Sequence, residues 1–285
     1  MVLDVDKKYL KERQYKSSGN LEARIAIHQK FRTNPESFHK WIWNNLKIDK
    51  PIKVLEVGCG TGQFWIENYS SLPENSHLTL TDFSEGMIEK ISSKLDHSNI
   101  KFEVADIENL QYEDNSFDLV MAHHVIYHSS DKDKAISELK RVTKSDGTIS
   151  ITSNSERHML NVYTISHDID NNYSMVRNID GFTEEDADKI LPSHFQTYQK
   201  EIYEDLLKVT DSDFMLEYIK KIQGLLNEGG HLMWETISPD TYDPELFKPK
   251  RLILEKKFTL LEEKMVKSEY PVNVPERRFL VFQNN

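Results

Sequence analysis

The chain has little cysteine, an excess of negative over positive charge, and no long apolar run. Its only cysteine among 285 residues is Cys59, which excludes an intramolecular disulfide and a metal or iron–sulfur site built from several cysteines. No stretch approaches the roughly 20 apolar residues of a membrane span, and residues 1–16 lack the apolar run of a signal peptide. The net charge of −11 opposes nonspecific binding to nucleic acid or anionic lipid. We therefore expect a cytoplasmic protein with neither a nucleic-acid nor a membrane partner.

The stretch that organises the chain is a predicted strand, Lys53–Val57, that runs into a glycine turn. Gly58, Gly60 and Gly62 follow the strand at alternate positions. Glycine has no Cβ and takes positive φ readily, so the backbone can turn sharply and come close to a ligand. A helix is predicted directly after the loop. This order of strand, glycine loop and helix opens a nucleotide-binding α/β unit.

The loop departs from two well-known nucleotide-binding fingerprints. In the GxGxxG pattern of dinucleotide enzymes the third glycine permits close packing beneath a pyrophosphate, and this chain has Gln63 at that place. A Walker loop is excluded because no Gly-Lys-Ser/Thr follows the glycines. The loop alone leaves two interpretations open, a nucleotide site or only a turn, and Gln63 points away from NAD and FAD.

Strands and helices alternate along most of the chain. Strands are predicted at 53–57, 77–82, 100–104, 117–122, 147–152, 196–207 and 278–282. Helices are predicted at 4–17, 21–31, 85–95, 131–142, 212–223 and 249–265, with another starting at Asn34 and Pro35. Alternation of this kind predicts an α/β fold with a doubly wound, mostly parallel, seven-stranded Rossmann-like sheet. N-terminal helices and a late insertion forming a lid complete the expected architecture.

Polar residues stand where several of these strands end. Asp82 ends the second strand about twenty residues past the loop, where an α/β nucleotide fold places the carboxylate that accepts both ribose hydroxyls. Asp106 and the pair His123 and His124 follow the third and fourth strands. The carboxyl ends of parallel strands share one rim, so we expect these side chains to lie together. A helix cap is the alternative role for Asp82, although Ser84 can cap the next helix equally well.

The segment Val54–Gly62 resembles the first motif of the class I S-adenosylmethionine-dependent methyltransferases, and the resemblance extends over roughly residues 50–155. It implies that Glu56 lies near the cofactor amino group and that the glycine-loop backbone surrounds its methionine part. It also implies that Asp82 holds the ribose. The remaining residues that the resemblance implies at the cofactor are Gly58, Cys59, Gly60, Gly62, Phe83, Met87, Asp106, Ile107 and His123. The implied cofactor is S-adenosyl-L-methionine, with S-adenosyl-L-homocysteine as product.

Methyl transfer needs alignment of nucleophile and methyl group, and it needs a base only where the acceptor must lose a proton. Candidate bases are His124, His128, His123 and Tyr15, with His124 first because it follows the fourth strand at the rim. The alternative is that His124 caps a helix or positions the cofactor carboxylate. His124 and His128 are four residues apart, a spacing that binds metal in a helix, but no third ligand is evident and we expect no metal. Asp131 and Asp133 are expected to start a helix.

We expect four regions: an N-terminal helical cover at 1–50, a cofactor-binding core at 51–155, late elements with lid or substrate-binding insertions at 156–265, and a strand completing the sheet at 266–285. The function expected is methyl transfer to a small molecule by a monomer or homodimer. Two alternatives stay open: methylation of protein or nucleic acid, and a non-catalytic nucleotide-binding protein of the same fold. An NAD enzyme is the weakest alternative.

Overall fold

The computed structural model describes residues 19–156, 158, 181–209, 211, 214, 218 and 272–284. The helices are α1 Gly19–Phe31, α2 Phe38–Leu46, α3 Gln63–Asn68, α4 Glu85–Ser92, α5 Lys132–Val142 and α6 Glu184–His194. The strands are β1 Lys53–Val57, β2 His77–Asp82, β3 Ile100–Val104, β4 Phe117–His123, β5 Thr143–Asn154, β6 Gln199–Val209 and β7 Val272–Asn284. None of the helices within these ranges is long and apolar enough to cross a membrane.

One sheet carries all of these strands in the order β3-β2-β1-β4-β5-β7-β6. The first five strands pair in parallel, with β1 at the centre between β2 and β4. The last strand pairs antiparallel with both β5 and β6. The order reverses at β1, and such a switch point opens a crevice for ligands outside the carboxyl ends of the strands. The expected α/β Rossmann-like fold with a mostly parallel sheet is confirmed in β1–β5.

The central strands β1 and β4 are buried on both faces, which explains their nearly continuous apolar character. One face packs against α5 and α6, through residues such as Leu55, Val120 and Leu139. The other face packs against α2 and α3, through residues such as Leu119 and Trp65. Successive residues of one strand therefore contact different helices, those on one face of the sheet and those on the other in turn.

The helical cover over the second face is partly as expected. Helix α1 extends from Gly19 rather than from position 21. Helix α2 begins at Phe38, with Ser37 as its N-cap accepting the Lys40 N–H, so the prediction that Asn34 and Pro35 start it is wrong. The side-chain oxygen of Asn34 instead accepts the Glu36 N–H at 3.0 Å, ahead of the helix, and its backbone N–H donates to Asp205 on β6 at 2.7 Å. The predicted helix at 4–17 lies outside the described residues.

Two further boundaries differ from expectation. Strand β5 begins at Thr143, four residues before the predicted start at 147, and its pairing with β4 shifts between Phe117 and Leu119. Gly147 lies in this irregular stretch, where a Cβ would approach the carbonyl oxygen of Asp118 to 3.0 Å. Helix α5 begins at Lys132 with Asp131 as its N-cap, which confirms the expected helix start. Most of the predicted insertion region 156–265, including nearly all of the helices predicted at 212–223 and 249–265, lies outside the described residues.

Candidate active site

The glycine loop after β1 takes the backbone conformation that its sequence predicts. Gly58, Gly60 and Gly62 all have positive φ, at 78°, 54° and 75°. A Cβ at Gly58 would approach Cγ2 of Val125 to 2.6 Å, and a Cβ at Gly62 would overlap the side chain of Ile91. Both the conformation and the space therefore require glycine at these two positions.

Four N–H groups of the loop donate hydrogen bonds to other groups of the protein. Those of Gly58 and Cys59 both donate to the carbonyl oxygen of Thr81, at 2.8 Å each. The Gly62 N–H donates to the Cys59 carbonyl at 3.0 Å, and the Gly60 N–H donates to Asp82. Loops that bind phosphate present free N–H groups to the anion. These four donors have partners already, so this arrangement does not resemble a phosphate cradle.

Asp82, at the end of β2, lies against the loop. Its Oδ2 accepts the Gly60 N–H at 3.0 Å and its Oδ1 accepts the Ser84 N–H at 2.8 Å. Burial raises the pKa of this carboxyl, and the two N–H donors partly offset the effect. Ser84 is the N-cap residue of α4 but forms no side-chain capping bond. Asp82 thus holds the loop and the start of α4 together, and each of its oxygens keeps a further lone pair for a ligand.

Glu56 is a second acid at this place and is buried in the middle of the sheet, where the residue is 3% exposed. The Trp65 indole N–H donates to its Oε2 at 2.7 Å. Burial raises the Glu56 pKa to about 7; the Trp65 hydrogen bond opposes this rise and the charge of Asp82 adds to it. The buried carboxyl group of Glu56 and the partly buried one of Asp82, both near one glycine loop, favour a cationic ligand. The sulfonium and ammonium groups of S-adenosylmethionine are cations that fit a site with these two carboxyl groups.

Cys59 is buried within the loop. Burial raises its pKa well above the ordinary thiol value, and the charges of Glu56 and Asp82 raise it further. The thiolate is the reactive form of cysteine, so this side chain is an inert part of the loop wall.

The loop after β3 carries the acid expected at the adenine. Asp106 Oδ1 accepts the Glu108 N–H at 3.0 Å, and the Asn109 N–H donates to the Asp106 carbonyl at 2.9 Å, which closes a tight turn. Glu108 Oε1 accepts the N–H of Ser130 at 2.7 Å and ties this turn to the segment after β4. Ile107 is buried in the core on the α5 side. The turn is thereby fixed beside the strand ends.

The two residues expected to pack on adenine lie at the start of α4. Met87 is 1% exposed and Phe83 is partly buried. Both follow Asp82 in the chain, at the carboxyl end of β2 and in the first turns of α4.

His123 ends β4 on the face covered by α2 and α3. Its Nε2 lies 2.9 Å from Oγ of Ser150 on β5, and its ring contacts Phe64 edge-to-face at 5.4 Å. Burial, with a smaller contribution from the neighbouring His39, lowers the His123 pKa to about 3. The imidazole is therefore neutral at physiological pH.

His124 has a left-handed backbone, with φ of 53°. Its N–H donates to the Thr152 carbonyl at 3.0 Å, and its ring lies 5.5 Å from that of Phe38. Non-glycine residues rarely adopt this conformation, and those that do cluster at functional sites. The structure places His124 at the rim between β4, β5 and α2, where a methyl acceptor is expected.

His128 and His124 do not share one face of an α-helix. Residues Ile126–His128 form one turn of 3₁₀-helix, and the left-handed His124 precedes it. The α-helical spacing that would direct both imidazoles at one metal is absent from this stretch. Within the described ranges no group of three or more His, Cys, Asp or Glu side chains could hold a metal ion. Tyr15, the remaining candidate base, lies outside the described residues.

Two contacts of the site are not signalled in the sequence. One is the Glu56–Trp65 hydrogen bond. The other joins α2 to α3, where Glu67 accepts from Ser37 and lies 3.0 Å from Nδ1 of His39. Burial raises the Glu67 pKa, but the bonds to His39, Ser37 and Gln63 outweigh it and lower the pKa to about 2. Apolar spacing predicts which helix faces pack, but not which polar residues pair across them.

Comparison with known proteins identifies the family. The family model described as "Methyltransferase domain" matches residues 48–204. An uncharacterised methyltransferase of Schizosaccharomyces pombe is 31% identical over 140 residues, covering 46% of this chain and 49% of that protein. A demethylmenaquinone methyltransferase of Staphylococcus aureus is 32% identical over 113 residues, covering 39% of this chain and 47% of that protein. The chain spans about half the length of the curated relatives it matches.

Solved structures share the fold. An N-methyltransferase of Haemonchus contortus, solved with phosphomonomethylethanolamine and S-adenosylhomocysteine, superposes with a TM-score of 0.54 at 17% identity. The match covers 96% of this chain and 58% of that chain. The match of the family model over residues 48–204, together with the glycine loop and its two acids, shows that the chain belongs to the class I S-adenosylmethionine-dependent methyltransferase family.

Proposed function

We propose that the protein transfers a methyl group from S-adenosylmethionine to a small-molecule acceptor. Two features of the site carry this proposal: a glycine loop with four N–H groups already bonded, and two acids beside it, the buried Glu56 and the partly buried Asp82. This arrangement suits a cationic nucleoside rather than a pyrophosphate. Bound S-adenosylmethionine supplies an electrophilic methyl group on a sulfonium.

The cofactor residues act by binding and orienting. In this proposal Asp82 accepts both ribose hydroxyls, Glu56 lies near the amino group, and the backbone of the loop from Gly58 to Gly62, with Cys59, encloses the methionine part. Phe83 and Met87 pack on the adenine, and Asp106 and Ile107 bind its amino edge. His123 lies at the boundary between the cofactor and the acceptor.

On the acceptor side, α2 and its aromatic side chains cover the rim beyond β4. His124 is the proposed general base where the acceptor must lose a proton, since its position between Phe38 and β5 places it on this side. His128 and Tyr15 are secondary candidates. Alignment of the nucleophile with the methyl group is the larger contribution, because positioning alone can remove roughly 7–11 kcal/mol of a barrier.

A small-molecule acceptor is supported by the Staphylococcus aureus relative, whose name gives demethylmenaquinone as its substrate. The net charge of −11 also favours an acceptor other than nucleic acid.

We further propose that late residues between β5 and β7 form the lid over a seven-stranded sheet. Residues 1–50, 51–155, 156–265 and 266–285 are the cover, core, lid region and final strand of this proposal. A cytoplasmic monomer or homodimer stays a prediction.

The test is acceptor-dependent transfer from methyl-deuterated S-adenosylmethionine. The protein is incubated with a panel of phenols, quinols, amines and phosphoamines, and products are read by a mass increase of 17 Da together with S-adenosylhomocysteine formation. Label in at least one small molecule, lost in Asp82→Ala, supports the proposal. Binding of S-adenosylmethionine with no transfer to any member of the panel favours the non-catalytic alternative.

A further inference from the structure

Three polar atoms beside the proposed site are buried without a hydrogen-bond partner among the described residues. They are Nδ1 of His123, Oγ1 of Thr152 and Oδ1 of Asn154. A buried polar group that stays unpaired has lost its hydrogen bonds to water without replacement, which destabilises the folded protein. Such groups are rare in folded proteins, and each one calls for an explanation such as a ligand or an ordered water.

The three atoms belong to one small area of the sheet. His123 and Thr152 are paired across β4 and β5, and Asn154 lies two residues beyond Thr152 on β5. Residues two apart on a strand point to the same face and are roughly 6–7 Å apart. Ser150, on the same face, is the residue that holds His123 through Nε2. These side chains form a polar floor, defined here as His123, Thr152 and Asn154.

Aromatic rings stand beside this floor. Phe64 of α3 contacts the His123 ring at 5.4 Å, and Phe38 of α2 contacts the His124 ring at 5.5 Å. Both phenylalanines are buried, at 5% and 6% exposed. A ligand bound over the floor would therefore contact flat apolar rings at its sides and hydrogen-bonding atoms of the floor below it.

The floor carries no charge. Thr152 and Asn154 are uncharged side chains, and the lowered pKa of about 3 keeps His123 neutral at physiological pH. A phosphate or carboxylate would find no compensating cation among these three groups. The Asn154 carbonyl oxygen can only accept, so it needs a donor such as a hydroxyl or an amine.

We propose that His123, Thr152 and Asn154 form the polar end of the acceptor pocket and bind the hydroxyl-bearing edge of a neutral planar ring. This inference rests on the proposed function, because it takes the cofactor to occupy the adjoining glycine loop. It assigns His123 to the acceptor rather than to the cofactor, and it makes Thr152 and Asn154 specificity residues.

Two probes of similar size, 1-naphthol and 1-methylnaphthalene, test the proposal. Each is titrated by ligand-observed NMR into the full chain saturated with S-adenosylhomocysteine, whose own affinity is measured by calorimetry. The wild type is expected to bind 1-naphthol at least about fivefold more tightly, since a bond to an otherwise unpaired buried group is worth about 1–3 kcal/mol. Thr152→Val and Asn154→Leu should reduce this preference to less than about twofold.

Thr148→Val is the matched control, because Thr148 lies on the same face of β5 but four residues before Thr152. Thr148→Val should keep the preference for 1-naphthol over 1-methylnaphthalene. Thr148→Val, Thr152→Val and Asn154→Leu should all keep the wild-type affinity for S-adenosylhomocysteine. Equal binding of the two probes, no binding of either, or a preference that survives both floor variants would overturn the proposal while leaving the proposed function intact. Failure of S-adenosylhomocysteine to bind the wild type would overturn both.

Thermal stability gives a second readout that needs no probe. Thr152→Val removes an unpaired buried hydroxyl at nearly constant volume, so the unliganded variant should melt at the wild-type temperature or above it. A clear fall in Tm would show that the hydroxyl is bonded within the protein, and the floor would then have no vacant donor or acceptor at Thr152.

Discussion

The Asp82 carboxylate accepts the backbone N–H of Gly60 at 3.0 Å, so the acid expected at the ribose also shapes the glycine loop. Its other oxygen accepts from Ser84, at the start of α4. Substitution of Asp82 therefore acts on the cofactor site in two ways, through a lost ribose contact and through a loosened loop.

Asp82→Ala should weaken S-adenosylhomocysteine binding at least about tenfold, which corresponds to about 1.4 kcal/mol. Calorimetry on the purified variant measures this directly. Asp82→Asn is the informative comparison, because its amide keeps one acceptor for the backbone and loses the other. It should bind with intermediate affinity. An affinity unchanged in Asp82→Ala would refute the ribose assignment.

Gly58→Ala should lower the free energy of unfolding by about 2–5 kcal/mol. The left-handed backbone costs about 1–2 kcal/mol for a residue with a Cβ, and overpacking against Val125 costs about 1–3 kcal/mol. Chemical denaturation provides the measurement. Gly86→Ala is the control: Gly86 lies in α4 with only Ser84 Oγ at 3.8 Å, so alanine should stabilise the helix. Equal effects at the two glycines would contradict the account of the loop.

His124→Asn should lower turnover at least about tenfold with the acceptor found in the transfer screen, because general-base catalysis contributes roughly 10²–10⁴-fold. Asparagine is chosen because it tolerates the left-handed backbone better than alanine does. The affinity for S-adenosylhomocysteine should stay within about twofold. His128→Asn serves as the comparison and should lose less activity. Parallel losses of turnover and cofactor affinity in His124→Asn would make His124 a cofactor ligand instead.

Glu56 should make the unliganded protein less stable as pH rises. Its pKa rises from 4.5 in the unfolded chain to about 7 in the folded one. The folded state therefore holds the proton more tightly, and the free energy of unfolding falls between pH 4.5 and 7. The shift corresponds to about 3 kcal/mol. Glu56→Gln keeps an acceptor for Trp65 and should remove most of this fall, as urea unfolding at pH 5 and pH 8 would show. If the free energy of unfolding depended on pH in the same way in the wild type and in Glu56→Gln, this would contradict the assignment of the fall to Glu56.

Sequence patterns predict the part of the site that is encoded locally. The glycines at 58, 60 and 62 predict their own left-handed backbone. The distance from the loop to Asp82 predicts that these two meet, because a βαβ unit has a limited range of lengths. The alternation of elements gives the parallel strands β1–β5 for the same reason.

The contacts that the sequence does not predict join residues far apart in the chain. Asn34 looks like a helix cap, but Asp205, 171 residues away on β6, accepts its N–H, and Ser37 caps α2 instead. Trp65 looks like an ordinary apolar helix residue, yet its indole N–H bonds Glu56. The polar floor of His123, Thr152 and Asn154 likewise depends on the register between β4 and β5. Such pairings are set by tertiary packing rather than by spacing along one element.

A crystal structure of the protein with S-adenosylhomocysteine tests the central claim most directly. The account predicts the ribose hydroxyls within hydrogen-bonding distance of Asp82 and the product sulfur directed toward the pocket beside His124. A product bound elsewhere, or a ribose that makes no contact with Asp82, would contradict it.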